Sequence, residues 1–144
     1  MKKKDESFSF KLVRIEEKQF SVFEDGINSE QINQKVGVGF NVDIENNIIA
    51  SAIHYLLEAV DKPFINIEVV CYFELTAKDF KKLLKSDKRV EIPSGFAKHL
   101  ANISAGTTRG ILFANTKDTP FNSYYMSLIN LTEFIEDNIE IEIE

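Results

Sequence analysis

The sequence predicts an α+β fold, a four-stranded antiparallel sheet backed by helices, in one domain spanning residues 1–144 with 1–7 and 138–144 as loose termini. Two observations predict it. Residues 36–45 alternate apolar and polar side chains, and in residues 64–75 Ile65, Ile67, Val69, Cys71, Phe73 and Leu75 keep an unbroken apolar row at every second position, the period expected of strands that bury one face. After Leu75 the period becomes helical, first behind Thr76 and then along a longer run from Pro93.

The elements follow in order. Phe8, Phe10 and Leu12 alternate with Ser9 and Lys11, then Val13 and Ile15 take over the apolar phase, as a bulge in a first strand would produce. Phe20, Val22 and Phe23 lead into Glu24-Asp25-Gly26 and a polar run from Asn28 to Gln34, which reads as a loop or crossover. In the second strand Val36, Val38, Phe40, Val42 and Ile44 share one face. Asn46-Asn47 tolerates the positive φ of a tight turn. Residues 48–60 fit a helical stripe through Ile49, Ile53, Leu56, Leu57 and Val60, but Asp61-Lys62-Pro63 makes a turn into the strand from Phe64 to Leu75. A third strand between two others is the simpler topology.

Thr76-x-x-Asp79 approximates a capping box and opens a short helix through Phe80, Leu83 and Leu84. Pro93 opens a longer helix to about Asn115, with Phe96, Leu100, Ile103, Thr107 and Ile111 as its buried stripe. Ala97, Ala101, Ala105, Gly106 and Gly110 leave room for another element or a second subunit to approach. Asp118-Thr119-Pro120 ends this helix, residues 124–129 run extended, and Asn130 caps a short helix containing Phe134. Residues 139–144 alternate Ile and Glu as an acidic edge strand or a tail.

Composition narrows the function classes. The formal charge of −6 argues against general affinity for nucleic acid. A single cysteine, Cys71, excludes an intramolecular disulfide and points to a reducing, cytoplasmic compartment. Met1-Lys2-Lys3-Lys4 is followed by Asp5-Glu6-Ser7 instead of the apolar run of an export signal, and no segment is long and apolar enough to insert in a membrane.

Chemistry is sparse. His54 and His99 lie far apart without a ligand pattern, so no metal site is expected. Cys71 falls on the apolar face of its strand and reads as an inert core thiol. Neither Gly37-Val38-Gly39 nor Gly106-Thr107-Thr108-Arg109-Gly110 completes a nucleotide loop, so no cofactor is expected, and Arg109 reads as half of an ion pair or a subunit contact. The basic residues Lys78, Lys81, Lys82, Lys85, Lys88 and Arg89 read as a solvated face. What stands out is apolar excess on the sheet, which implies a subunit interface or a ligand groove. The chain reads as a binding protein, not an enzyme.

Three local motifs carry a resemblance: Lys62-Pro63-Phe64 with Phe73-Glu74-Leu75, the helix run from Ile103 to Phe113, and Thr119-Pro120-Phe121 with Leu128-Ile129-Asn130. With the order of strands then helices, they make the chain similar to the SecB-like family of protein-export chaperones over most of residues 8–135. The resemblance implies a homotetramer, a dimer of dimers, with apolar grooves that hold unfolded polypeptides without a cofactor. It places Val36, Val38, Phe40, Val42 and Ile44 in the client-binding role, a pattern that simple core would also produce. SecB proper ends in a metal-binding tail that docks on the SecA motor, and this chain ends in Ile141-Glu142-Ile143-Glu144. The resemblance therefore leaves two clients open, exported chains delivered to SecA and the antitoxin of a toxin–antitoxin pair. Two other classes compete. A hot-dog-type acyl-thioester enzyme would need residues 48–60 to be helical, with an acid such as Glu58 at work. A non-catalytic adaptor would bind one folded partner.

Overall fold

The computed structural model describes residues 7–24, 31–59 and 62–143. Strands β1 (Phe10–Val22), β2 (Ile32–Asp43), β3 (Ile48–Ala59) and β4 (Lys62–Leu75) form one antiparallel sheet in the order β1-β4-β3-β2. Helix α1 (Ala77–Lys81) leads into a second, three-stranded sheet of β5 (Leu84–Ser86), β6 (Arg89–Ile92) and β7 (Ile139–Glu142). Between β6 and β7 run the long helix α2 (Ser94–Asn115), a 3-10 turn at Pro120–Ser123 and the short helix α3 (Leu131–Phe134). The predicted α+β class and four-stranded sheet are both present.

The contested segment 48–60 is β3, described to Ala59. It is apolar on both sides because both are covered to some degree: Ile49, Ser51, Ile53, Tyr55, Leu57 and Ala59 are buried, while Ile48, Ala50, Ala52 and Leu56 are half-buried on the other face. A strand packed on both faces loses its alternation, which is why a helical stripe could be read there. The Asn46-Asn47 turn is as expected, with Asn47 at φ 59°. Of the next expected turn, residues 60 and 61 lie outside the described residues, and Lys62 and Pro63 already belong to β4.

β1 carries the expected irregularity at Val13, between Leu12 and Arg14, and a second between Glu17 and Gln19. It also takes in Phe20 and Val22, read from the sequence as a separate apolar cluster ahead of the loop, which pair with Ile67 and Ile65. The expected loop over residues 24–34 lies partly outside the described residues, and its last residues from Ile32 belong to β2.

Thr76 caps α1 as expected, accepting from the Asp79 backbone N–H at 3.2 Å. The helix is shorter than read, however, and Leu84 lies in β5. β5 and β6 were missed because strands of three and four residues are too short to show a period, whereas β7 falls on the Ile–Glu alternation that offered an acidic edge strand, so Ile139–Glu142 is not part of a loose terminus. The helix α2 has the expected span but a different buried face. Ala97, Leu100, Ala101, Ser104, Ala105, Thr108 and Leu112 are buried, and Phe96, Ile103, Thr107 and Ile111 are half-buried. The alanines therefore serve close packing on β3 and β4 within the chain, while Gly106 and Gly110 face outward with nothing within 4 Å of an added Cβ. No helix among the described residues is long and apolar enough to cross a membrane.

Candidate functional site

The five residues singled out on the second strand come to one side of the sheet. Val36, Val38, Phe40 and Val42 stand opposite Tyr55, Ile53, Ser51 and Ile49, the core face of β3, and directly opposed residues share a face. Ile44 lies just beyond the end of β2. All five are half-buried and packed against the core. They stay only half-buried because β2 is an edge strand and α2 packs chiefly over β3 and β4.

A second apolar surface adjoins them. After the 3-10 turn, residues 124–130 run without regular structure as a strap against α2. Tyr124 sets its ring edge-on to Phe64, with centroids 5.0 Å apart, and Met126 is buried. Arg109 fixes the strap by donating from Nε to the Met126 carbonyl at 3.0 Å and from Nη2 to the Ser127 carbonyl at 3.4 Å. Its partners are therefore backbone carbonyls, where the sequence suggested an ion pair or a subunit contact.

Between strap and helix lies a cleft of about 430 Å³ lined by Gly106, Gly110, Leu112, Phe113, Tyr125 and Met126, with Arg109 at its side. Phe113 and Tyr125 stack at 6.3 Å across it. Phe113 is 49% exposed and Tyr125 67%, so two large apolar side chains stand open in one cleft, and Leu128, 87% exposed, follows three residues further along the strap. The outward glycines of α2 keep its floor open.

Tyr55 joins the two surfaces. Its hydroxyl lies 3.0 Å from Gln34 Oε1 on β2 and 3.5 Å from the Tyr125 carbonyl in the strap. Burial pushes this phenol up to about 12, so it stays a neutral donor at physiological pH. Gln34 precedes Val36 by two positions on the same face of β2, so the strap borders the β2 surface.

Other groups do not converge. His54 Nε2 lies 2.6 Å from Asn66 Oδ1 on the opposite face of the sheet, while His99 meets the Phe10 ring edge. Cys71 is fully buried. Among the described residues no three His, Cys, Asp or Glu side chains are grouped to hold a metal ion. The basic run near α1 is partly paired, Lys82 with Asp79 at 3.1 Å and Lys85 with Glu91 at 3.5 Å.

Sequence reasoning missed Phe113, Tyr125 and Leu128. A signal existed in Phe121, Tyr124 and Tyr125, an aromatic cluster just after a helix break. Such a cluster reads equally as packing until the backbone shows which rings turn outward.

No family model matches this chain, and no curated protein matches it significantly. Among solved structures it is similar to the Mycobacterium tuberculosis SecB-like chaperone Rv1957 in complex with a ChAD peptide from the HigA1 antitoxin, at 11% identity and a TM-score of 0.45 over 85% of this chain and 87% of that one.

Proposed function

We propose that this protein is an ATP-independent holdase that binds extended, unfolded polypeptide segments along β2 and the neighbouring strap. The observation that carries the reading is the cleft with Phe113 and Tyr125 exposed, joined through Tyr55 to the strand that bears the half-buried row from Val36 to Ile44. Covering one such side chain fully is worth roughly 1.5–3 kcal/mol, so a few contacts per site give weak binding that adds up across several sites. The SecB-like motifs of the sequence support the same reading. They also support a dimer of dimers acting in the cytoplasm on exported chains bound for SecA or on an antitoxin.

The thioesterase alternative loses its premise, because residues 48–59 are strand and Glu58 pairs with Lys35 at 3.2 Å. The adaptor alternative stays distinguishable by what the protein captures: one stoichiometric folded partner, against mixed unfolded chains.

The test is suppression of aggregation of several chemically unfolded proteins at stoichiometric amounts of this chain. Leu128→Asp is the cleanest probe, since so exposed a residue contributes little to the fold. It is expected to weaken client binding by about tenfold, or about 1.4 kcal/mol, with the thermal midpoint unchanged. Phe40→Asp should weaken binding too while leaving the oligomer intact, at some cost in stability because Phe40 packs on the core. Failure to suppress aggregation of any of the clients would sink the reading.

A further inference from the structure

The last strand, β7, sits where a strand from another molecule could sit. It pairs antiparallel with β6, placing Ile139 opposite Ile92, Glu140 opposite Glu91, Ile141 opposite Val90 and Glu142 opposite Arg89. Beyond this ladder it also lies against β2. Val90 and Ile92 are fully buried, yet Ile139 and Ile141 beside them are only half-buried.

The outward row of the pair is poorly matched. Glu140 directly faces Glu91, and like charges opposed across a ladder are unfavourable. Arg89 reaches Glu140 at 2.9 Å, but both side chains are about half exposed, so the ion pair stabilises little. Glu91 has Lys85 as its partner on the other side, at 3.5 Å. The remaining ties are Ser94 N–H to Asn138 Oδ1 at 2.9 Å and Ile143 N–H to the Lys88 carbonyl at 2.7 Å. What attaches β7 is thus mainly a short backbone ladder and two half-buried isoleucines, both of which any extended segment of the same alternation could supply.

We propose that the β6 edge, with the adjoining side of β2, is a strand-addition site that β7 occupies in cis. Its partner in trans is an extended polypeptide segment alternating β-branched aliphatic and acidic residues. The chain itself shows what fits: aliphatic side chains enter beside Val90 and Ile92, and acids face Arg89. The elements leading to this edge also carry Lys78, Lys81, Lys82, Lys85 and Lys88, which favours an acidic segment over a basic one. This inference rests on the reading that the protein binds extended polypeptide, and it adds the binding mode and a competition with the chain's own strand.

The experiment uses a fluorescent peptide of sequence Asn-Ile-Glu-Ile-Glu-Ile, titrated by anisotropy into three full-length proteins: the intact chain, Ile139→Ser/Ile141→Ser, and Glu91→Cys/Glu140→Cys. The serine variant, with β7 loosened, is expected to bind at least about tenfold more tightly than the intact chain. The cysteine variant, with β7 bonded to β6 on oxidation, should lose the peptide and regain it on reduction; Cys71 is fully buried and does not compete. A peptide with the same residues blocked as Asn-Ile-Ile-Ile-Glu-Glu should bind poorly. Equal affinity in the intact and both cysteine forms, or equal binding of the blocked peptide, overturns the inference. If the serine variant loses its native circular dichroism, the oxidised and reduced cysteine forms decide alone. Aggregation suppression by the intact chain separates the two claims: suppression without peptide exchange sinks strand addition and leaves the holdase, and exchange without suppression does the reverse.

Discussion

Asp79 shows how one side chain ties three segments together. Its carboxylate accepts from the Ser9 backbone N–H at 2.6 Å and pairs with Lys82 at 3.1 Å, while its own N–H is held by Thr76. The Ser9 hydrogen bond, then the Lys82 contact, hold its pKa below the usual 3.8. A carboxylate with a folded pKa lower than its unfolded one contributes stability that is complete above the unfolded value and is lost as pH falls through the folded one. Asp79→Asn is therefore expected to lower the denaturation midpoint at neutral pH, with the gap to the wild type closing in strong acid. A gap that stays constant with pH would mean that the charge plays no part. The sequence exposed half of this device: Thr76-x-x-Asp79 was legible as a cap, but the reach to Ser9 spans the chain and has no local signature.

Helix α2 is built from two unlike faces. Its alanines press on β3 and β4, so Ala101→Leu has no space to fill and is expected to destabilise the fold by about 1–3 kcal/mol in a denaturant titration. Its outward glycines cost helix stability and have no packing reason within the chain, so Gly106→Ala should stabilise the same transition by about 0.5–1 kcal/mol. If the open cleft serves clients, that gain comes with weaker client binding; stabilisation without that loss would show that the glycines serve no binding purpose. The span of α2 was legible from its period. Its buried face was not, because small residues carry little hydrophobic signal even where they allow the closest approach. β3 shows the opposite failure, with so many apolar positions that the two-residue period vanished.

At the scale of the whole molecule, the sheet has two edges with different surroundings. β2 has β7 beside it, whereas β1 exposes Leu12 and Val13 at 42% each and Ile15 at 47% along its length. Exposed apolar side chains on a long edge strand invite pairing with another chain, and the proposed assembly gives them a partner. Ile15→Lys is expected to reduce the mass in solution to that of a smaller species, read by light scattering, with the far-ultraviolet spectrum unchanged. An unchanged mass would place the assembly contact elsewhere. The strands of the large sheet and their sequence were legible because alternation and turn residues are local. The placement of β1 beside β4, which creates this edge, depends on contacts between distant parts of the chain.

That same strand order has a consequence in time. β2, β3 and β4 follow one another as neighbours and can zip up as hairpins, but β1 pairs only with β4 and must wait until β4 has been made. At ordinary synthesis rates of about 5–20 residues per second, the interval between the end of β1 and the completion of β4 is roughly 3–10 s. Throughout it Phe10, Leu12, Ile15, Phe20 and Val22 have no strand to lie beside. Each newly made copy thus passes through the condition of the polypeptides that the finished protein is proposed to hold, which makes an earlier copy a candidate guardian of the next.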